Sequence, residues 1–429
     1  MSGKPIVSLI HRDDVPESPA NHTDKSQKIV DEMVRQAVDG IGGIKSLIKP
    51  GERVVIKPNL VWPITPDMAI TTDPRVIESV VRLIKTETEA AEVVVAERTA
   101  IGRHTKDSFE LTGARAAAER AGADRVVCLE DDERVLVEIP NSKSLLNGVH
   151  LPKTLLNADK LIYLPKMKAH KMAVVSLTMK MNQGVQIWSE MISCHRNDLE
   201  QKMVDMLKVM RPDLSIVDAI WAQEGQGPGS PYQRDVMKDR NLILAGTDPV
   251  AVDAVGAATM GIDPMLEVAM IRGAFTEGLG EGRLEEIQVV GARIDDVKRF
   301  FRRGTCSMVG VHPKVDVYTG GACVGCLGFA RTGLDPILAD PNFSWDRIEK
   351  ISIIIGYKTN VPEGLVHDPP RSYVYVIGDC TAEHKDKGVF LPGCASLALH
   401  EMVDWWGKDD KGIHEVYWKY QPKEGQMIP

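Results

Sequence analysis

Short runs of β-branched and aliphatic residues recur through the first 300 residues, separated by stretches of helical period. The runs at 53–57, 91–96, 125–128, 160–165, 214–218 and 242–245 carry few polar interruptions. A strand with one wet face alternates polar and apolar residues. An unbroken run needs cover on both faces, as in a parallel sheet with helices packed above and below. The intervening segments fit that role. Residues 73–85 open on Asp73-Pro74, a cap followed by proline, and then repeat apolar residues at helical spacing. Residues 114–121 form a second such segment, and a third opens at Thr247-Asp248-Pro249. The pattern predicts an α/β domain over 1–300 with a largely parallel sheet flanked by helices. Composition shifts near Phe300-Phe-Arg-Arg-Gly304, and the remainder holds five of the seven cysteines, two more apolar runs (351–355 and 373–377) and the Trp405-Trp406 pair. A second, smaller α+β domain bearing those cysteines is expected over 301–429.

Bulk properties exclude several classes. A formal charge of −8 and the lack of a broad basic face argue against nucleic-acid binding. No stretch approaches the roughly 20 apolar residues of a membrane span. The N-terminal apolar run is too short for a signal peptide, so a cytoplasmic location is expected. In a reducing compartment cysteines serve as ligands, nucleophiles or buried hydrophobes more often than as disulfides. Cys128 reads as a buried strand residue; Cys194 and Cys306 lie in polar contexts that leave their roles open.

In parallel α/β sheets ligands gather outside the carboxyl ends of the strands. Those ends supply Lys57 and Asn59, Asp73, Glu97, Lys166, Lys168 and His170, Lys180 and Asn182, Asp218, Glu224, and Asp248 through Asp253. Lys57, Lys166, Lys168 and Lys180 would offset the charge of a carboxylate or phosphate. Lys168, His170, Lys180, Asp218 and Glu224 are the candidate acid–base groups, and Lys57, Asn59, Lys166 and Asn182 the candidate substrate contacts. Gly225 and Gly227 would let backbone amides approach an anion. The bland alternatives are solvated surface lysines and helix caps at Asp73 and Asp248.

The order of these pieces resembles the family catalogued as domain of unknown function 362, from about Val7 to Gly291. The resemblance rests on Lys57-Pro-Asn59, Thr71-Thr-Asp-Pro74, Leu164-Pro-Lys-Met-Lys-Ala-His170, Lys180-Met-Asn-Gln-Gly184, Asp218 with Glu224-Gly-Gln-Gly-Pro228, and Asp248-Pro-Val-Ala-Val-Asp253. It implies ferredoxin-type iron–sulfur elements beside the α/β domain. The chain departs from the pattern in two places. It has no Cys-x-x-Cys-x-x-Cys run, and the strand ending at Glu97 lacks a Gly-Asp-Ser type sequence, which leaves Glu97 without an assigned role.

Cys323 and Cys326 form a Cys-x-x-Cys pair, and Cys380 and Cys394 stand singly, each within two residues of a glycine. Thiolate ligands need a backbone that wraps closely, which glycine permits. Structural zinc commonly uses two short cysteine pairs, whereas a [4Fe–4S] cluster accepts ligands spread along the chain. With 53 residues between Cys326 and Cys380 and 13 between Cys380 and Cys394, the spacing favours the cluster over zinc, with Cys306 as a neighbour. No Gly-x-Gly-x-x-Gly fingerprint follows a strand, so no nicotinamide or flavin site is evident. The expectation is a cytoplasmic iron–sulfur oxidoreductase acting on a small anionic substrate or cofactor, with an electron-donor protein and self-association as candidate partnerships. The alternatives are a non-redox lyase, isomerase or ligase with a structural zinc or cluster, and a non-enzymatic electron carrier or assembly factor.

Overall fold

The computed structural model describes residues 3–14, 18–100, 103–341 and 343–393. The chain divides into two compact units. Unit 1 comprises Met1–Met191 and Asp198–Gly304; unit 2 comprises Ile192–Asn197 and the chain from Thr305 onward.

Unit 1 begins with β1 (Ile6–His11), β2 (Arg53–Pro58), β3 (Glu92–Glu97) and β4 (Arg125–Cys128). A separate two-stranded ribbon follows, β5 (Arg134–Val137) with β6 (Val149–Pro152). Then come β7 (Lys160–Leu164), β8 (Lys166–His170), β9 (Val174–Ser176), β10 (Leu214–Gln223), β11 (Val236–Met237), β12 (Leu242–Gly246) and β13 (Gln288–Gly291). The main path runs β13-β1-β12-β10-β7-β2-β3-β4. Every neighbouring pair on it is parallel except those made by β12, which is antiparallel to both β1 and β10. The sheet is thus largely parallel, and the carboxyl ends of β10, β7, β2 and β3 share one edge.

The apolar runs form strands because both faces are covered. Val54, Val55 and Ile56 of β2 and Val93 through Ala96 of β3 are fully buried. Each valine or isoleucine side chain so removed from water contributes about 1.5–3 kcal/mol, set against the entropy of ordering the chain. The helix Pro74–Glu87 begins as its sequence predicts, with the Asp73 side chain accepting from the Arg75 amide at 2.9 Å and proline at its first position. Helix Pro249–Thr259 repeats the device: Asp248 accepts from the amides of Val250 and Ala251. Cys128, expected to be buried, ends the edge strand β4 and is only half-buried.

Between β7 and β8 stands Pro165, which has no amide proton to give a ladder. The chain leaves β2 there and continues beside β10 with a register shift, its Pro165 carbonyl accepting from the Asp218 amide at 2.8 Å. Residues Lys166 to His170 are all buried although they read as polar.

Unit 2 carries a four-stranded parallel sheet in chain order, β14 (Val315–Thr319), β15 (Lys350–Ile355), β16 (Ser372–Ile377) and β17 (Val389–Leu391). Helix Val324–Ala339 connects β14 to β15. Its buried face joins Ile351, Ile353, Ile355, Tyr375 and Ile377 in a core separate from that of unit 1. No helix among the described residues is long and apolar enough to cross a membrane.

Candidate active site

Strand period places the first group. In β8, residues two apart share a face, so Lys166, Lys168 and His170 project together while Met167 and Ala169 project oppositely. Beside them, β2 ends on Lys57 and β3 on Glu97. The short helical segment Met179–Val185 brings Lys180 and Asn182. Its entry is fixed by Asp253, whose two carboxylate oxygens accept from the amides of Thr178 and Met179 at 2.7 and 2.9 Å. Asp253 is fully buried, and that burial pushes its carboxyl up to about 7.

Two of the four strand-end lysines are neutralised by buried carboxylates. Lys57 Nζ lies 2.7 Å from Glu97 Oε1, and both side chains are at most 2% exposed. Glu97 also accepts from the amides of Arg98 and Leu60. Burial raises the Glu97 carboxyl, with Lys57 and those amides opposing it. Lys166 Nζ lies 2.9 Å from Asp218 Oδ2, which also accepts from the Asp73 amide. Asp73 in turn grips the buried Arg75 guanidinium. Burial raises Asp218 as well. Glu97, left without a role by the sequence, is therefore the partner of Lys57.

Lys168 differs. It is 1% exposed and, among the described residues, pairs with no carboxylate; its Nζ donates to Asn59 Oδ1 at 2.6 Å and to the Ile70 carbonyl at 2.7 Å. Burial, then the charges of Lys166 and Lys180, hold the amine well below the ordinary 10.5. A neutral amine has two N–H donors and one lone pair. The two acceptors around Lys168 match the two donors of that form. The neighbouring Thr71 hydroxyl is buried without a hydrogen-bond partner.

His170 is held by the turn that follows β8: its Nδ1 accepts from the amides of Met172 and Ala173, both at 3.1 Å. A ring that accepts at Nδ1 carries its proton on Nε2 when neutral. Asn182 links elsewhere, accepting from the Tyr163 hydroxyl at 2.8 Å and donating to the Met210 carbonyl. Burial raises the Tyr163 phenol, and the Lys57 ammonium stands 5.9 Å from its ring. Gly184 closes over the ion pair, since a Cβ there would lie 2.7 Å from Lys57 Nζ.

The glycine-rich loop serves packing. The amides of Gly225 and Gly227 donate to the carbonyls of Arg302 and Gly225, and that of Gln226 to Asp235. The amides expected to face an anion are thus engaged within the protein. A Cβ on Gly227 would fall 1.8 Å from the Ala169 carbonyl, so glycine lets this loop press against β8. Glu224 is held by Arg302, with Nε at 2.6 Å.

In unit 2 the cysteine loops follow strand ends. Cys323 and Cys326 lie just beyond β14, Cys380 just beyond β16, and Cys394 three residues beyond β17, outside the described residues. Because the four strands are parallel, these loops leave the sheet at one edge. Cys323 caps helix Val324–Ala339, its sulfur accepting from the Cys326 amide at 3.4 Å. Cys326 beside it draws the Cys323 thiol down to about 5, the helix-start amides helping. Only glycine fits at Gly325, where a Cβ would meet the His195 carbonyl at 2.1 Å. Gly393 donates to Asp379 Oδ1 at 2.8 Å and accepts from the Asp379 amide at 2.9 Å. The residue before Cys394 is thereby pinned to the residue before Cys380. Among the described residues no group of three or more His, Cys, Asp or Glu side chains is arranged to hold a metal ion.

The fold is thus α/β, with a largely parallel sheet flanked by helices in unit 1. Residues 54–258 match the family described as Domain of unknown function (DUF362), a narrower span than the motif order suggests. A thylakoid-associated protein of Synechocystis sp. is 28% identical over 242 residues, covering 54% of this chain and 70% of that protein. Among solved structures, the lactate racemase apoprotein from Thermoanaerobacterium thermosaccharolyticum aligns with a TM-score of 0.37 and 11% identity, over 96% of this chain and 91% of that one. A Thermotoga maritima protein aligns with a TM-score of 0.30 and 10% identity, over 49% of this chain and 53% of that one.

Proposed function

We propose that unit 1 is an enzyme site that binds a small anionic substrate at the strand ends and moves a proton with Lys168. The observation that carries this reading is a fully buried amine, hydrogen-bonded among the described residues to neutral acceptors, beside two lysines whose charges disfavour its protonation. An entering anion reverses that balance, because a nearby negative charge favours the ammonium form. Substrate binding and proton uptake by Lys168 are then coupled, as a base acting next to a carboxylate requires. Asn59 and the Ile70 carbonyl orient the amine, and the two buried ion pairs fix the strands that carry it. The test incubates a panel of small carboxylates in deuterium oxide with the protein and follows loss of C–H proton signals by NMR. Exchange at a carbon next to the carboxylate, about a hundredfold slower in Lys168→Met, is expected. An unchanged rate in that variant removes the proposal.

A second reading, the iron–sulfur oxidoreductase, is favoured by the common edge onto which unit 2 directs its cysteine loops. Cys323, Cys326, Cys380 and Cys394 would hold the group, which would supply one-electron chemistry. Iron and sulfide analysis after anaerobic purification tests it: about four of each per chain is expected, lost in Cys380→Ser, whereas stoichiometric zinc or no metal contradicts it.

A further inference from the structure

β3 ends on Glu97, and the next residue, Arg98, is 7% exposed. Among the described residues its buried Nε and Nη1 meet no hydrogen-bond partner. An unmet buried guanidinium is strongly unfavourable and marks a place where something else completes it. Two carboxylates act on it electrostatically, Glu130 and Glu190, and neither forms an ion pair with it among the described residues. Each is satisfied on one oxygen only. Glu130 Oε1 accepts from the Thr105 amide at 2.9 Å, and Glu190 Oε1 meets the His150 amide and ring at 2.9 and 2.7 Å. Their other oxygens, Glu130 Oε2 and Glu190 Oε2, are buried and meet no partner among the described residues. The second guanidinium of the neighbourhood, Arg134, is committed to the carbonyls of Leu129, His150 and Val185. The Trp188 ring stands 5.7 Å from the Arg98 guanidinium carbon and forms a wall against it.

We propose that this neighbourhood is a binding pocket for a small zwitterion, an amino acid in class, whose carboxylate pairs with Arg98 and whose ammonium meets Glu130 and Glu190. The charges decide the class. A bare anion completes Arg98 but faces two carboxylate oxygens that repel it and stay unmet. A bare cation completes the carboxylates and leaves Arg98 orphaned. A zwitterion satisfies all three groups and leaves the net charge of the pocket unchanged, so its burial carries no added charge. Arginine suits the carboxylate end because its fork matches a carboxylate in a bidentate geometry.

The pocket is separate in chemistry from the Lys168 site and does not depend on that proposal. Calorimetry on the full chain, with each common L-amino acid and with acetate, inorganic phosphate and methylammonium, tests it. At least one amino acid binding about tenfold or more tighter than all three simple ions is expected. Glu190→Gln, which keeps the side-chain shape, weakens that amino acid about tenfold or more and leaves acetate unaffected; Arg98→Met abolishes binding. Lys168→Met retains it, which distinguishes this pocket from the proton-transfer site. Acetate or phosphate binding as tightly as the best amino acid overturns the proposal in favour of a simple anion site. Binding by no amino acid overturns it in favour of buried water, and full affinity in Glu190→Gln also overturns it, even if Arg98→Met does not fold.

Discussion

Removing the Lys57 ammonium while keeping its chain length, as in Lys57→Met, strands Glu97 in the interior. The carboxylate then retains only the amides of Leu60 at 3.1 Å and Arg98 at 2.7 Å. Breaking a buried pair by removing one partner costs about 3–5 kcal/mol, because the survivor keeps its desolvation penalty without its counter-charge. Part of that cost is relieved by proton uptake, since burial already raises the Glu97 carboxyl with Lys57 in place. Glu97→Gln strands the lysine instead, and a loss of similar size is expected. The double variant leaves no buried charge, so it should recover a coupling energy of about 2–3 kcal/mol relative to the sum of the two single changes. Urea unfolding of the full chain, followed by circular dichroism, measures the cycle. A double variant destabilised by the full sum would show that the two groups do not hold each other, and the reading of the strand ends as paired charges would fall.

Other outcomes follow from neighbouring residues. Asp253 titrates near 7 in the fold and near 3.8 in an unfolded chain, so the fold binds the proton more tightly. Its contribution is present at low pH and is lost as pH rises from about 4 to about 7, by up to about 4 kcal/mol. Asp253→Asn should flatten that part of the stability–pH curve; an unchanged slope contradicts the assignment. Gly227→Ala drives a methyl group onto the Ala169 carbonyl and should destabilise by about 3 kcal/mol while displacing β8. Wild-type stability in that variant would show that the loop is free to move away.

The parallel sheet was legible because residues such as Val54 to Ile56 and Val93 to Ala96 advertise two-sided burial without reference to anything distant. Helix Pro74–Glu87 was legible from its own cap. β8 was not, since Lys-Met-Lys-Ala-His reads as a wet loop until Asn59, Asp218 and the Ile70 carbonyl are brought to it from elsewhere in the chain. Helix Val324–Ala339 was hidden by Gly325, Gly328, Gly333 and Pro336, which argue locally for turns. The four lysines of the site were identified by position at strand ends, but the pairing of Lys57 with Glu97 and of Lys166 with Asp218 is non-local and was not legible. Arg98 was missed outright. Its one local signal was its place directly after a strand, and its lack of a partner is visible only in three dimensions.

The central claim is that Lys168 is a neutral base, and the titration of its own nitrogen tests that most directly. In protein labelled with nitrogen-15 at lysine Nζ, with the resonance assigned by its loss in Lys168→Met, the shift is followed from mildly acidic to alkaline pH. The structure predicts a transition well below 10.5 that moves upward when a carboxylate ligand binds. A Lys168 resonance that titrates with the surface lysines would contradict it.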